Sequence, residues 1–306
     1  MKVLQITDRH TSGFAPATAA RLEADCHIGI DTVEPSALSS FTAMRIATAL
    51  KGGAHSVVIV RRRKDLMAAV SARKLARTPF AIVYAPDNAG HLSERLVPEL
   101  TDAIDAVVVP ADSFAAPFAG LRTVVIPPAL DDEDETQAVT TDTTDNMLHI
   151  SWIGPIDKAE RLDRAVRAAA AQPRGRVRLH VYGTGAPRLV MPIVKGARHI
   201  DGLDIVWHGD QYDDAGALAT STAVLSTDNV PTRPVLMAMR SGIPVLATDD
   251  TDTLTADIAA LLAKNGGIDR ERLNQLSGQA KDTYQSQHSL CFHVEQWRQL
   301  LHSLNS

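Results

Sequence analysis

The chain has 306 residues, which is long for one hydrophobic core and comfortable for two domains. Hydrophobic residues make up 45% of the sequence and charged residues 22%, the composition of a soluble globular protein. The net charge of −5 excludes a global attraction to nucleic acid or to an anionic membrane, so any anion binding must be local.

Short apolar runs alternate with segments of helical period through the first half. The opening MKVLQITDRH turns polar after Ile6, which predicts a first strand and no signal peptide. The spacing of Leu38, Phe41, Met44, Ala47 and Leu50 predicts a helix that ends at Gly52-Gly53. The predicted strands are Lys2–Ile6, Cys26–Ile30, Ser56–Val60, Phe80–Tyr84, Ala106–Val109 and Thr123–Ile126.

Residues 131–146 interrupt this pattern with acidic and threonine residues and almost no apolar ones, so we predict an exposed linker there. Strands are predicted again at 148–153, 176–182, 203–208, 222–226 and 243–247, and helices from Thr255 onward. The alternation predicts an α/β fold of two Rossmann-like, doubly wound parallel-sheet domains that face an interdomain cleft, at 1–130 and 147–285. Residues just after each strand are then the candidates for ligand binding.

The cellular setting is predicted from what the sequence lacks. Two cysteines, Cys26 and Cys291, are too few for a disulfide framework, which favours a reduced, cytoplasmic setting. No apolar run approaches the roughly 20 residues that a membrane-spanning helix needs, so at most peripheral membrane contact is expected.

Four landmarks in the second half resemble the C-terminal domain of GT-B glycosyltransferases of the family-4 type. They are Trp152-Ile153-Gly154 with Arg161-Leu162-Asp163, then Val181-Tyr182-Gly183-Thr184-Gly185-Ala186-Pro187, then Trp207-His208-Gly209, and finally the run AMRSGIPVLATD from Ala238 to Asp249. In the first half, Thr123–Pro128 is similar to the strand that leads to the interdomain linker. The resemblance implies a GT-B fold, with residues 286–306 as a terminal helix that crosses back to the first domain.

The resemblance also implies a function, namely hexosyl transfer from a UDP- or GDP-sugar without a metal or another cofactor. Glycines after strands let the backbone approach a diphosphate, and helix N-termini bind its charge. The implied donor-side residues are Gly154, Lys158, Arg161, Gly183, Gly185, Gly209, Asn229, Thr232 and Arg233. On the acceptor side the candidates are Arg9, His10, Gly13, Arg61 and Asp87, which favour an anionic acceptor.

The chain departs from the family pattern at its charged positions. The two donor-binding glutamates of the family fall on Asn229 and Met237, and its phosphate-binding arginine and lysine fall on Pro155 and Glu160. The usual Gly-rich loop is replaced by the acidic run Asp250–Thr253, and acid beside a diphosphate opposes binding. No catalytic residue is identified. Two hypotheses stay open: an active transferase, or an inactive GT-B subunit that binds a partner glycosyltransferase or a glycan.

Several features have a plainer structural interpretation beside the functional one. Thr232-Arg233-Pro234 is either a helix start with a solvated arginine or an anion site. The run Arg61–Lys64 is either a solvated face or part of a cationic floor.

Two further sites are disfavoured. Three residues close in sequence suggest a metal site, namely His288, Cys291 and His293, but no fourth ligand is evident. We therefore expect a terminal helix here, with Trp297 on its buried side. An oxidoreductase is disfavoured because the first strand is followed by one glycine, Gly13, in place of Gly-x-Gly-x-x-Gly.

Overall fold

The computed structural model describes residues 1–7, 14–51, 53, 55–76, 79–86, 96–130, 147–201, 203–210, 213–226, 230–248, 250–264 and 267–305. The chain divides into two compact units. The first contains the described residues up to Leu130 together with the segment from Leu290 onward, and the second runs from Met147 to Ser289. The predicted acidic linker at 131–146 lies outside the described residues.

The first unit is built on a parallel sheet of six strands in the order β2-β1-β3-β4-β5-β6. Its strands are β1 (Lys2–Ile6), β2 (Gly29–Val33), β3 (His55–Val60), β4 (Ala81–Tyr84), β5 (Ala106–Val109) and β6 (Thr123–Val125). Its helices are α1 (Pro16–Cys26), α2 (Ser39–Ala49), α3 (Arg63–Leu75), the short α4 (Pro98–Thr101) and the last helix of the chain, α11 (Leu290–Leu304). Two 3-10 turns, Asp112–Phe114 and Ala116–Phe118, precede β6.

Helices cover both faces of this first sheet. On one face, buried residues of α2 and α3 share a core with alternate residues of the central strands, among them Ile46 and Leu66. On the other face, α1 and α11 pack against the remaining strand residues. Trp297 of α11 is 3% exposed, and its ring meets Phe14 edge-on at 4.8 Å between centroids. The C-terminal helix therefore completes the core of the first unit.

The second unit is built on a parallel sheet of five strands in the order β11-β10-β7-β8-β9. Its strands are β7 (Leu148–Ile153), β8 (Val177–Tyr182), β9 (Asp204–Gly209), β10 (Ala223–Ser226) and β11 (Val245–Ala247). Its helices are α5 (Ala159–Ala170), α6 (Pro187–Ala197), α7 (Asp214–Ala219), α8 (Arg233–Ser241), α9 (Thr251–Ala259) and α10 (Arg270–Thr283), followed by a π-helical turn at Tyr284–His288. Its main core lies between the sheet and α5, α6 and α9.

The predicted fold class, two doubly wound parallel-sheet domains, is confirmed by these two sheets. The strand predicted at Cys26–Ile30 is wrong in its bounds, because α1 continues to Cys26 and β2 begins only at Gly29. His27 ends α1 in the left-handed conformation, at φ 54°, and the Ile28 amide donates back to the Leu22 carbonyl. The run Cys26–Ile30 is therefore divided, because Cys26 and His27 end α1 and only Gly29 and Ile30 belong to β2.

Helices begin earlier after β11 than the sequence predicts, because α9 starts at Thr251. Within the described ranges, the longest apolar helical stretches fall short of what is needed to cross a bilayer.

Candidate functional site

The strand order of each sheet locates the place where such folds bind ligands. In the second sheet the order reverses between β7 and β10, so the crevice at their carboxyl ends is the expected binding position. Gly154 directly follows β7, while Thr232 and Arg233 lie at the start of α8, the helix that follows β10. Three of the predicted donor-side residues therefore flank one switch point.

Gly183 and Gly185 hold the loop after β8 against the loop after β7. A β-carbon on Gly183 would stand 1.9 Å from the Gly154 carbonyl oxygen, and one on Gly185 would stand 2.3 Å from the Ile156 oxygen. The loops are also hydrogen-bonded, because the Gly154 amide donates to Tyr182 and the Ile156 amide donates to Thr184, both at 2.9 Å. These two glycines are thus required for packing between the loops.

Gly154 and Gly209 differ from that pair. Both have positive φ, +148° and +74°, and no described atom lies within 4 Å of the position where a β-carbon would be. The Gly209 carbonyl accepts a hydrogen bond from the Gly183 amide at 2.5 Å, so the ends of β7, β8 and β9 are connected in series. A ligand can approach the backbone closely at Gly154 and Gly209, where it cannot at Gly183 and Gly185.

The predicted cationic side chains each lie near the start of a helix. Lys158 is the exposed N-cap residue of α5, and Arg161, in the first turn, contacts the Asp157 carboxylate at 3.5 Å. Arg233, the first residue of α8, forms a short ion pair with Asp214 at the start of α7. Asp214 compensates much of the Arg233 charge, although the arginine side chain is half exposed.

Thr232 is the N-cap residue of α8, but its hydroxyl makes no capping hydrogen bond. The Thr232 hydroxyl oxygen is buried and has no hydrogen-bond partner among the described residues. In the next turn Met237 is fully buried in the core. The position that aligns with a family glutamate therefore carries an apolar core residue.

The acidic run after β11 begins a helix. The Asp250 carboxylate accepts from the Thr253 amide at 2.7 Å and from the Thr253 hydroxyl at 2.6 Å, so it caps α9. These hydrogen bonds hold the Asp250 pKa below its ordinary value. A capping role explains an acid here without reference to a ligand.

The acceptor-side candidates are only partly described. Arg61 directly follows β3, beside the order reversal between β1 and β3 in the first sheet. The neighbouring Arg62 is paired at 2.7 Å with Asp65, which is 2% exposed, so part of the basic run serves the fold. Arg9, His10, Gly13 and Asp87, and the donor-side candidate Asn229, lie outside the described residues.

A line of three histidines crosses the second sheet and was missed by the sequence analysis. His149 of β7, His180 of β8 and His208 of β9 have parallel rings, and their nitrogens are joined at 2.9 Å and 3.0 Å. Tyr182 stacks on His208 with 4.0 Å between ring centroids. The histidines are offset by two residues on neighbouring strands, because His149 pairs with Arg178 and His180 pairs with Val206. They share a face because alternate residues of a strand point the same way, and only the strand register brings them together.

Burial makes the middle imidazole difficult to protonate. Desolvation, followed by the charges of His149, His208 and Arg178, lowers the pKa of His180 from 6.5 to about 4, while Asp204 opposes this shift. Desolvation also lowers the pKa of His208. His180 and His208 are therefore neutral at pH 7, and the neutral ring of His180 can donate one hydrogen bond and accept another.

His288, Cys291 and His293 are separated by their secondary structure. His288 is buried at the end of the π-helical turn, while Cys291 is exposed on α11. His293 has its Nδ1 2.7 Å from the Pro127 carbonyl oxygen. Within the described ranges, histidine, cysteine and acidic side chains form no cluster of three or more able to hold a metal ion.

No protein-family model and no curated protein sequence matches this chain. Solved structures do match it over nearly its whole length. HepE of Anabaena in complex with UDP and glucose is 15% identical, with 99% of this chain and 100% of that chain covered and a TM-score of 0.68.

Two further structures are similar to the same extent. The lipopolysaccharide outer core galactosyltransferase WaaB, in its apo form, gives 14% identity, 99% of both chains and a TM-score of 0.71. Sucrose-phosphate synthase from Thermosynechococcus elongatus is 13% identical, with 99% of this chain and 98% of that chain covered and a TM-score of 0.70. With two doubly wound parallel sheets and this likeness over its full length, the chain has the GT-B fold of these glycosyltransferases.

Proposed function

We propose that this protein binds a nucleotide sugar at the β7–β10 switch point and transfers a hexose from a UDP- or GDP-sugar to an acceptor. The fold supports this proposal, because HepE, which shares it, has been solved with UDP and with UDP-glucose. Arg61 at the other switch point favours an anionic acceptor. The cysteines, which are free thiols, favour a cytoplasmic setting.

The observation that carries the proposal is the backbone at Gly154. Its positive φ and the open space at its α-carbon place an accessible main chain beside the β7–β10 crevice. The N-terminus of α5 follows within a few residues, and its amide dipoles favour a diphosphate. A nucleotide diphosphate needs this combination more than it needs any single charged side chain.

A second candidate function, an inactive GT-B subunit that binds a partner transferase or a glycan, is favoured by two specific contacts. Met237 is a core residue at the position where the family has a carboxylate, and Asp214 pairs with Arg233 at the start of α8. Since neutralising the leaving diphosphate is the main electrostatic contribution to transfer, these contacts weaken catalysis more than binding.

Nucleotide binding tests the proposal with two matched glycine variants. Gly154→Ala and Gly175→Ala both place alanine at positive φ with no described atom within 4 Å. Gly175→Ala, at φ +68°, should cost about 1 kcal/mol of stability, and Gly154→Ala, at φ +148°, should cost more because L side chains rarely adopt that backbone. Gly175 precedes β8, at the amino ends of the strands of the same sheet, whereas the crevice lies at their carboxyl ends. Calorimetric titration with UDP, GDP and ADP should show binding that Gly154→Ala weakens at least tenfold and Gly175→Ala leaves unchanged.

Absence of binding for all three nucleotides, or equal weakening by the two variants, would refute the proposed site. Where binding is found, hydrolysis of UDP-glucose or GDP-mannose separates the two functions. Slow nucleotide release that Gly154→Ala abolishes supports the transferase. Tight binding with no release, together with co-purification of another transferase, supports the accessory subunit.

A further inference from the structure

The outer side of α2 and α3 exposes an apolar surface. Of the seven large hydrophobic side chains that are exposed among the described residues, five lie on these helices or at their ends, with 48% to 65% exposure. They are Leu38, Phe41, Met44, Met67 and Leu75. Exposed apolar residues concentrated in this way mark an interaction site more often than scattered ones do.

These residues lie on one side of the first unit. Ala43 and Ile46 of α2 and Leu66 and Ala69 of α3 belong to one core cluster beneath the sheet face that both helices cover. Because the buried stripes of two adjacent helices face the same sheet, their opposite stripes both face away from it. On α2 that stripe includes a surface depression lined by Phe41, Met44, Arg45, Thr48 and Ala49.

The segment that carries this apolar surface is rich in basic residues. Between Pro35 and Ala76 the sequence has eight lysine or arginine residues and one acidic residue, Asp65, although the whole chain has a net charge of −5. Asp65 is buried and paired with Arg62, so it does not face outward, and Arg73 is paired with Asp105 from outside this segment. Arg45, Lys64 and Lys74 are exposed beside the apolar side chains.

We propose that the outer side of α2 and α3 docks onto the surface of an anionic phospholipid bilayer. The apolar side chains would enter the boundary between headgroups and acyl chains, while the lysines and arginines bind lipid phosphates. The same arrangement disfavours a second copy of this chain, because two such surfaces would repel each other through their positive charge. The proposal does not depend on nucleotide-sugar binding, which uses the second unit.

Sedimentation with phospholipid vesicles tests this proposal on the full chain. Vesicles of phosphatidylcholine with 30% phosphatidylglycerol should bind the protein at 0.1 M NaCl, whereas pure phosphatidylcholine vesicles should bind it much more weakly. Raising the salt to 0.5 M should weaken binding several-fold, because screening removes the charge contribution and leaves the apolar one.

A matched pair of double variants locates the surface. Met67 and Met191 are both 48% exposed, and each has an exposed lysine within one turn, Lys64 and Lys195. Lys64→Glu with Met67→Ser should lower the vesicle partition coefficient at least fivefold, the effect of one lysine at an anionic surface. Met191→Ser with Lys195→Glu, on α6 of the second unit, should change it less than twofold.

Circular dichroism and UDP titration of both doubles check that the fold and the other site are intact. No binding of the wild-type protein to the anionic vesicles would overturn the proposal. So would equal losses in the two doubles. Binding that requires an added protein, or a dimer that Lys64→Glu with Met67→Ser dissociates, would assign the surface to a protein partner instead and would also overturn it.

Discussion

The line of three histidines predicts an acid sensitivity that can be calculated. His180 titrates at about 4 in the folded protein and near 6.5 when unfolded, so its folded-state pKa is depressed. A base whose folded pKa is depressed leaves stability unchanged above pH 6.5 and reduces it as the pH falls from 6.5 towards 4. At pH 5.0 nearly all unfolded molecules and about a tenth of folded ones carry this proton. The second unit should therefore be about 2 kcal/mol less stable at pH 5.0 than at pH 7.5.

His180→Phe tests this calculation because phenylalanine keeps a flat ring and cannot titrate. The variant lacks two hydrogen bonds at every pH. The stability that it loses between pH 7.5 and pH 5.0 should nevertheless be smaller than the loss of the wild type by about 2 kcal/mol. For a unit of this size that difference corresponds to roughly 4–8 °C in the unfolding midpoint.

Urea unfolding at pH 7.5 and 5.0 measures this difference. Fluorescence in a Trp297→Phe background reports the second unit, since Trp152 and Trp207 both lie there. His199→Phe, which removes an exposed imidazole from the same unit, should keep the wild-type pH dependence. If the wild type and His180→Phe lose stability in parallel between the two pH values, the reasoning about burial is wrong.

Three further variants probe the loops, the terminal helix and the switch point. Gly183→Ala should destabilise the protein by about 3 kcal/mol or more in thermal unfolding, because its β-carbon meets backbone at 1.9 Å; a loss below 1 kcal/mol would contradict this. Trp297→Ala should cost about 3–5 kcal/mol in urea, and Trp297→Phe much less; equal losses would refute a packing role. Arg233→Ala should weaken UDP binding about fivefold and lower stability by at most about 1 kcal/mol. The control Arg167→Ala, which removes an exposed ion pair of α5, should leave UDP binding unchanged. If Arg233→Ala also leaves the affinity unchanged, Arg233 is not part of the site.

The architecture was predictable because parallel sheets have a strong sequence signal. The buried strand Ala106–Val109 is a continuous apolar run, Leu148–Ile153 is apolar at four of its six positions, and the predicted bounds of both match the structure. The prediction failed at β2, which is only partly buried and follows a helix whose last residue, Cys26, is the first residue of the predicted strand. A run such as Cys26–Ile30 does not specify which of two adjacent elements will use it.

The helix pattern predicted at 38–50 shows a different limit. Leu38, Phe41 and Met44 have helical spacing, and the helix exists, but these three residues face outward while Thr42, Ala43 and Ile46 face the core. Apolar periodicity predicts a helix correctly even when the most apolar side of that helix faces outward. It identifies the buried side of the helix only when the larger apolar residues face the core.

Site residues were predictable in position and not in role. The sequence placed Gly154 and Gly183 after successive strands, and the structure brings their loops together. Which glycine packs and which is open depends on how two loops about thirty residues apart in the sequence approach each other. No local pattern contains that information, and the same applies to the histidines, which come together through strand register alone.

The contact between Gly183 and the Gly154 carbonyl has a consequence for how such chains are recognised. A protein of this fold that had lost every group needed for chemistry would still have to keep Gly183 and Gly185, since any side chain there would force two crossover loops apart. The glycine signature that identifies a transferase from sequence is therefore, in part, a signature of foldability. It would survive the loss of activity unchanged, and so an intact Gly-x-Gly reports which architecture a chain has before it reports what that chain still does.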